Sequence, residues 1–208
     1  MTAPSIAQLP LRSHTPPAWA EIVMRDPLAL LCDHAYLERK AATNALQLFN
    51  RWPEPDPPEN WVVAMTSIAQ DEVEHLAIVV RLLLKRGGSL TRYHRNDYAA
   101  GLHGLVRMGR GTEELIDRLM ISALIEARSC ERFAVLAEHC PDAELAELYG
   151  DLFTSEAGHY RVFINLAKHL APADVVDRRW EELLDAEARI IAQQPPGPTM
   201  HSGFAASA

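Results

Sequence analysis

Met65-Thr-Ser-Ile-Ala-Gln-Asp-Glu-Val-Glu-His-Leu-Ala-Ile-Val-Val-Arg-Leu82 is the stretch that decides the fold. Met65, Ile68, Glu72, His75, Val79 and Leu82 recur in it by alternating steps of three and four, the spacing of a helix face turned into a bundle seam. A carboxylate and an imidazole thus stand on an otherwise apolar face. Side chains at i and i+3 project from one side of a helix, so the pair can serve one ion. The pattern returns at Glu156-Ala-Gly-His159, on the stripe Leu145, Tyr149, Leu152, Glu156, His159, Phe163, Leu166, Leu170. A single glutamate precedes each copy. Glu38 lies on a stripe with Leu31, Ala35, Ala45 and Phe49, and Glu126 on one with Leu115, Leu119, Ser122, Cys130 and Phe133.

With 17 Glu and 9 His in 208 residues, Glu-x-x-His arises by chance about once, so the motif alone decides nothing. Its position on the seams does. An unpaired buried carboxylate costs several kcal/mol or takes up a proton, so four of them in one core demand cationic compensation. Two divalent metal ions supply it. Glu38, Glu72, His75, Glu126, Glu156 and His159 are therefore the expected ligands, four carboxylates and two imidazoles inside a four-helix bundle. Glu38 and His75 are expected on one metal and Glu126 and His159 on the other, with Glu72 and Glu156 bridging. Asp71 either accepts the free N–H of a ligating imidazole or is simply exposed. Glu74 and Glu131 fall off the stripes, the latter about 140° around the helix from Glu126, and are expected to face solvent or to stand behind the ligands.

The rest of the chain agrees with an all-α fold. Apolar residues make up 48% of it, strand-like alternation is absent, and the 14 prolines cluster at segment edges. No run is long and apolar enough for a membrane span, and no apolar secretion core opens the chain. Three cysteines without metal-binding spacing (Cys32, Cys130, Cys140) suit a reduced, cytoplasmic protein. Residues 1–15 are expected to be a poorly ordered extension, residues 16–194 the helical domain, and residues 195–208 a flexible tail rich in Pro, Gly and Ser.

Within the domain the pattern predicts a short helix at about 16–24, then a long one capped by Asp26-Pro27 and running to about Trp52. A second long helix follows, capped by Asp56-Pro57 and closed at Gly87-Gly88. A third opens at Thr112, and a fourth runs unbroken from Pro141-Asp142 to about Ala171. A further amphipathic C-terminal helix covers about 174–193. Residues 89–111 form the long crossover between helices 2 and 3 that such bundles need.

Carboxylates with one imidazole per metal suit iron or manganese better than thiol-loving ions. A reduced di-iron pair passes two electrons to dioxygen, and hydroxylation consumes two more per turnover. The chain has no Gly-x-Gly-x-x-Gly and no cysteine cluster, so an external donor, a separate reductase or ferredoxin, is required. The net charge of −8 argues against a generally basic nucleic-acid binder. Residues 85–111 are the exception: six basic residues against Asp97 alone, interleaved with Tyr93, His94, Asn96, Tyr98 and His103. That mixture fits phosphate contact and base stacking on an unpaired RNA loop as well as it fits an ordinary solvated crossover.

Four segments carry a resemblance: Tyr36-Leu-Glu-Arg-Lys-Ala-Ala42, Asp71-Glu-Val-Glu-His75, Leu124-Ile-Glu-Ala-Arg-Ser-Cys-Glu-Arg-Phe133 and Ser155-Glu-Ala-Gly-His-Tyr160. Together they resemble the tRNA hydroxylases that act on 2-methylthio-N-isopentenyladenosine, which are ferritin-like di-iron monooxygenases. The similarity spans roughly residues 9–203, including Met200-His-Ser-Gly203, with no departure at a ligand position. It implies that the six ligands hold two iron ions. It also implies insertion of one oxygen atom from O2 into the isopentenyl group of the modified adenosine beside the anticodon. Arg92, Arg95, Arg107 and Arg110 are then the expected contacts to the tRNA anticodon loop. The competing expectation is a ferritin-like iron-oxidising or peroxide-detoxifying bundle, which would use the same ligands without RNA.

Overall fold

The computed structural model describes residues 6–52 and 55–204. Among these are a short 3-10 turn (Ile6–Gln8) and the helices α1 (Ala18–Val23), α2 (Pro27–Phe49), α3 (Glu59–Lys85), α4 (Asp97–His103), α5 (Thr112–His139), α6 (Ala143–Glu156), α7 (His159–Ala167) and α8 (Ala173–Ala192). No strand forms among them beyond one isolated bridge, Pro196 with Gly203. The fold class is all-α, as the periodicity predicts. The chain divides into two compact units, Asp26–Arg95 and Met1–Arg25 with Asn96–Ala208.

The first unit is the hairpin of α2 and α3, which pack along each other. Asp26 caps α2 by accepting the Ala29 N–H at 3.0 Å, and Pro27 sits at the first helical position, where its missing N–H costs nothing. Asp56 does not cap α3 as expected: the helix starts two residues later, after Pro58, which has no side-chain acceptor to offer. The far end of α3 closes as the glycine pair predicts. Gly88 N–H donates to Leu83 O (2.9 Å) and Gly87 N–H to Leu84 O (3.0 Å), with Gly87 at φ 78°, a backbone geometry that side chains disfavour. Leu30, Leu31 and Leu48 on α2 and Met65, Ile68, Val79 and Leu83 on α3 are buried. Each fully buried side chain of this size contributes about 1.5–3 kcal/mol.

In the second unit α5 packs against α6 and α7 and, more lightly, against α1, α4 and α8. It is buried on nearly every side, charged residues included. Arg128 forks onto Glu187, Nε to Oε1 at 2.9 Å and Nη2 to Oε2 at 3.0 Å, and its Nη1 donates to Glu131 Oε2 at 2.7 Å. Tyr98 O–H donates to Glu187 at 3.0 Å, while Thr15 donates to Glu131 from both its backbone N–H and its hydroxyl at 2.6 Å. Glu131 is therefore neither exposed nor behind the ligands. The side of α5 turned away from Glu126 is covered too, and its charges are matched there. Removing one partner of such a buried pair costs about 3–5 kcal/mol.

The covering segments correct two further expectations. Leu9, Leu11 and Thr15 are buried, so residues 6–15 pack rather than trail; residues 1–5 lie outside the described part. Met200, His201 and Ser202 are buried as well. Ser202 accepts from Trp19 Nε1 at its hydroxyl (3.1 Å) and from Arg132 Nη2 at its carbonyl (3.0 Å). His201 lies between Asn96 Nδ2 (2.9 Å) and Ser129 Oγ (3.2 Å), its ring 4.5 Å from that of Tyr98. A Cβ on Gly203 would stand 1.8 Å from Gln194 O, so only glycine fits where the chain turns back on itself. The expected flexible tail is a packed loop as far as residue 204, and residues 205–208 lie outside the described part.

The expected fourth helix is also interrupted. α6 ends at Glu156, Ala157 and Gly158 form a turn, and α7 starts at His159. Asp142 caps α6 through the Leu145 N–H at 3.2 Å, as Pro141-Asp142 suggests. The connection from Arg86 to Gly111 is long, as expected, but not wholly irregular: Asn96 accepts the Ala99 N–H and starts α4.

Candidate metal centre

In the α2–α3 hairpin, Glu38, Glu72 and His75 are all buried, and each offers a ligand atom such that these lie within 4.8 Å of one another. His75 Nδ1 stands 3.9 Å from Glu38 Oε2. Seam periodicity places them: Glu72 and His75 share one face of an unbroken helix, and Glu38 sits on the buried face of its partner. Two carboxylates and an imidazole, all inside an apolar hairpin, form a hard-oxygen and borderline-nitrogen donor set. That set fits a divalent iron or manganese ion.

A residue absent from the sequence-based set stands behind them. His34, one turn before Glu38 and fully buried, places Nε2 2.5 Å from Glu38 Oε1. Burial pushes its imidazole down to about 4, against the opposing pull of Asp33 and Glu72, so it is neutral near pH 7. A neutral ring whose N–H donates to a carboxylate fixes that carboxylate's direction. The i−4 spacing from Glu38 was the available signal. Asp71 is half-buried, Glu74 exposed.

The second unit presents a matching set in different surroundings. Glu126 lies mid-way along α5, Glu156 is the last residue of α6, and His159 the first of α7; all three are buried. Ligand atoms of Glu126 and His159 lie within 4.8 Å of each other. Cys130, one turn after Glu126, remains a thiol, its ionisation pushed up to about 12 by burial and then by the Glu126 charge, so it adds no thiolate to the oxygen and nitrogen donors.

The arginines expected at RNA are treated unequally. Arg92, Arg95 and Arg110 are exposed. Arg107 is drawn inward: its backbone N–H, Nε and Nη2 donate to Asp117 at 2.8–2.9 Å, and Arg179 Nε bonds the same carboxylate at 2.9 Å. Burial works against the Asp117 charge, yet these bonds hold its ionisation below the usual carboxylate range. Of the interleaved groups, Tyr98 is fully buried on Glu187. His94 is held within the first unit, 2.7 Å from Asp33 Oδ1 and 2.8 Å from Lys40 Nζ, while Tyr93 and His103 are exposed.

A relative from Pseudomonas putida, tRNA 2-(methylsulfanyl)-N(6)-isopentenyladenosine(37) hydroxylase, is 37% identical over 190 residues, covering 91% of this chain and 90% of its own length. A relative of the same name from Salmonella typhimurium is 30% identical, covering 95% of this chain and 89% of its own. A solved structure from Synechococcus, described as a protein with aldehyde deformylating oxygenase activity, superposes with a TM-score of 0.84 at 36% identity. It covers 93% of this chain and 96% of that one, and it shares the ferritin-like all-α fold. The family description tRNA-(MS[2]IO[6]A)-hydroxylase (MiaE) matches residues 2–202. Continuous over almost the whole sequence and shared with relatives above 30% identity, the match places this chain in the MiaE family of tRNA hydroxylases.

Proposed function

We propose that the two donor sets together hold two iron ions, and that the protein is an O2-dependent monooxygenase that hydroxylates the isopentenyl group of 2-methylthio-N-isopentenyladenosine beside the tRNA anticodon. The observation that carries this reading is a buried Glu–Glu–His triad in a chain of the MiaE family, with a second glutamate, glutamate and histidine buried in the other unit. Glu38, Glu72 and His75 would be the ligands from the first unit and Glu126, Glu156 and His159 those from the second. When bound, the iron pair supplies the redox chemistry by which dioxygen is activated.

The protein's own residues do the rest. Glu38 is oriented by the His34 N–H, so its carboxylate has a fixed direction. Leu31, Ala35 and Ala42 on α2, and Ile68 and Val79 on α3, are buried along with the triad, so its surroundings on these helices are apolar. The reacting adenosine must leave the anticodon-loop stack for its prenyl group to enter such an interior. Arg92, Arg95 and Arg110 are exposed and would meet phosphates, whereas Arg107 pins its loop to Asp117. A separate reductase or ferredoxin would deliver electrons. No helix among the described residues is long and apolar enough to cross a membrane, and a tRNA substrate would be met in the cytoplasm.

Mass spectrometry of tRNA nucleosides from cells with and without the protein tests the substrate. The hydroxylated nucleoside should vanish on deletion and its unhydroxylated precursor accumulate. An unchanged hydroxylated pool would reject the activity. Metal analysis of protein purified without oxygen should find two iron ions per chain.

A further inference from the structure

The 89–95 segment is not a loose strap but a built surface on the flank of α2. Tyr36 O–H donates to Thr91 O, Thr91 Oγ1 donates to Tyr93 O at 2.9 Å, and Cys32 Sγ lies 3.7 Å from Thr91 Oγ1. His94 stacks on Tyr36 with centroids 4.8 Å apart and planes within 6°. Lys40 donates to His94 Nδ1, so His94 carries its proton on Nε2 and donates it to Asp33. Four side chains of α2, Cys32, Asp33, Tyr36 and Lys40, thus fix the segment in one conformation. What it then presents outward is unusual. Tyr93 is 80% exposed with the Arg92 guanidinium 5.5 Å from its ring centroid, and Arg39 stands 5.3 Å from the ring of Tyr36. Beside them runs an open apolar groove between α2 and α3, lined by Ala35, Tyr36, Val73, Leu76, Val80 and Leu90. Val73 and Leu90 are about half exposed.

Isolated exposed apolar residues are ordinary, but a rigid aromatic flanked by arginines at the lip of an apolar groove is not a solvated face. Planar cations beside aromatic rings attract phosphates while the rings receive bases, the combination by which single-stranded nucleic acid is held. We propose that this flank, with Tyr36, Arg39, Arg92, Tyr93 and the adjoining groove, is a stacking surface for the unpaired anticodon-loop nucleotides that neighbour the hydroxylated one. The inference rests on the tRNA reading above and adds the surface to it. Its location fits: the same two helices carry Glu38, Glu72 and His75 on their buried faces, so the surface lies about one helix diameter, roughly 10–12 Å, from the triad. Local positive charge in a chain of net charge −8 gives the RNA one preferred landing face.

The test uses the full-length, iron-loaded protein and a fluorescently labelled anticodon stem-loop, with anisotropy read over a series of salt concentrations. Tyr93→Leu should weaken binding about tenfold while Tyr93→Phe, which keeps the ring, binds like the parent. Arg39→Ala with Arg92→Ala should lower the slope of log affinity against log salt by about 2, one for each phosphate contact. Circular dichroism and iron content confirm that the variants are folded and loaded. Parent-like affinity and slope in all variants would overturn the surface while leaving the tRNA reading intact. A parent protein that binds no stem-loop at any salt would overturn both. Variants that bind RNA normally but lose turnover with the electron-donor protein would assign the face to that protein and overturn the proposal.

Discussion

Glu72 and His75 sit on an unbroken helix, whereas Glu156 and His159 straddle the junction of two. The same four-residue motif is therefore held in two ways. In α3 the helical repeat alone fixes the angle between carboxylate and imidazole. At α6–α7 the turn at Ala157 and Gly158 intervenes, and the direction of His159 depends on how α7 packs against α5. The surroundings differ in the same sense. Beside Glu38 stands a neutral histidine; on the far side of the helix that carries Glu126 stands a buried ionic network of Arg128, Glu131 and Glu187. One half is ordered by local geometry, the other by long-range pairing. A ligand motif in sequence states which atoms are offered, and the packing around it states how firmly.

The largest effects should come from the ligands themselves. Glu72→Ala and Glu156→Ala should each lower hydroxylation by more than about 100-fold, beyond the range typical of residues that merely support ligands. Iron content, read by elemental analysis, should fall from two per chain in both. If either variant keeps two ions, the symmetric reading of the halves breaks. Next is the network. Arg128→Met leaves Glu187 and Glu131 buried without their cation and should cost about 3–5 kcal/mol in a urea titration. A cost below about 1 kcal/mol would show that α5 does not depend on these charges.

His34→Gln sharpens the comparison on the other side. It should leave stability near that of the parent protein but weaken ferrous iron binding about 10–100-fold, followed by anaerobic titration. The smallest effect belongs to Gly158→Ala, which adds a methyl group into open space at a φ of −105° that alanine adopts readily. It should stabilise the fold by about 0.4–1 kcal/mol. If iron binding weakens as well, the break after Glu156 is a requirement of the site rather than an accident of the chain.

Much of this was legible in the residues. Stripes with steps of three and four placed all six candidate ligands in buried positions, and Asp26-Pro27, Gly87-Gly88 and Asp142 marked helix ends because their chemistry is local. The network was not legible. Arg128 and Glu187 lie 59 positions apart, and charged residues are outside by default, so nothing near Glu131 announces its burial. The break at Gly158 was hidden for another reason: a glycine within a helix costs only about 1 kcal/mol, and the apolar rhythm continues across it. The Pro, Gly and Ser composition of residues 195–204 suggested freedom, but Trp19 and Arg132 hold the loop through Ser202, a pairing no composition reveals.

The packed loop at Met200–Gly203 has a consequence for biogenesis. Residues 26–95 are contiguous, so that hairpin can close while the ribosome is still translating the remainder. The other unit draws on residues 6–25 and seals over them with the loop that holds Trp19, a loop translated well after the hairpin. Glu126, Glu156 and His159 all follow the hairpin in the chain, so the nascent protein passes through a stage in which only Glu38, Glu72 and His75 are in place.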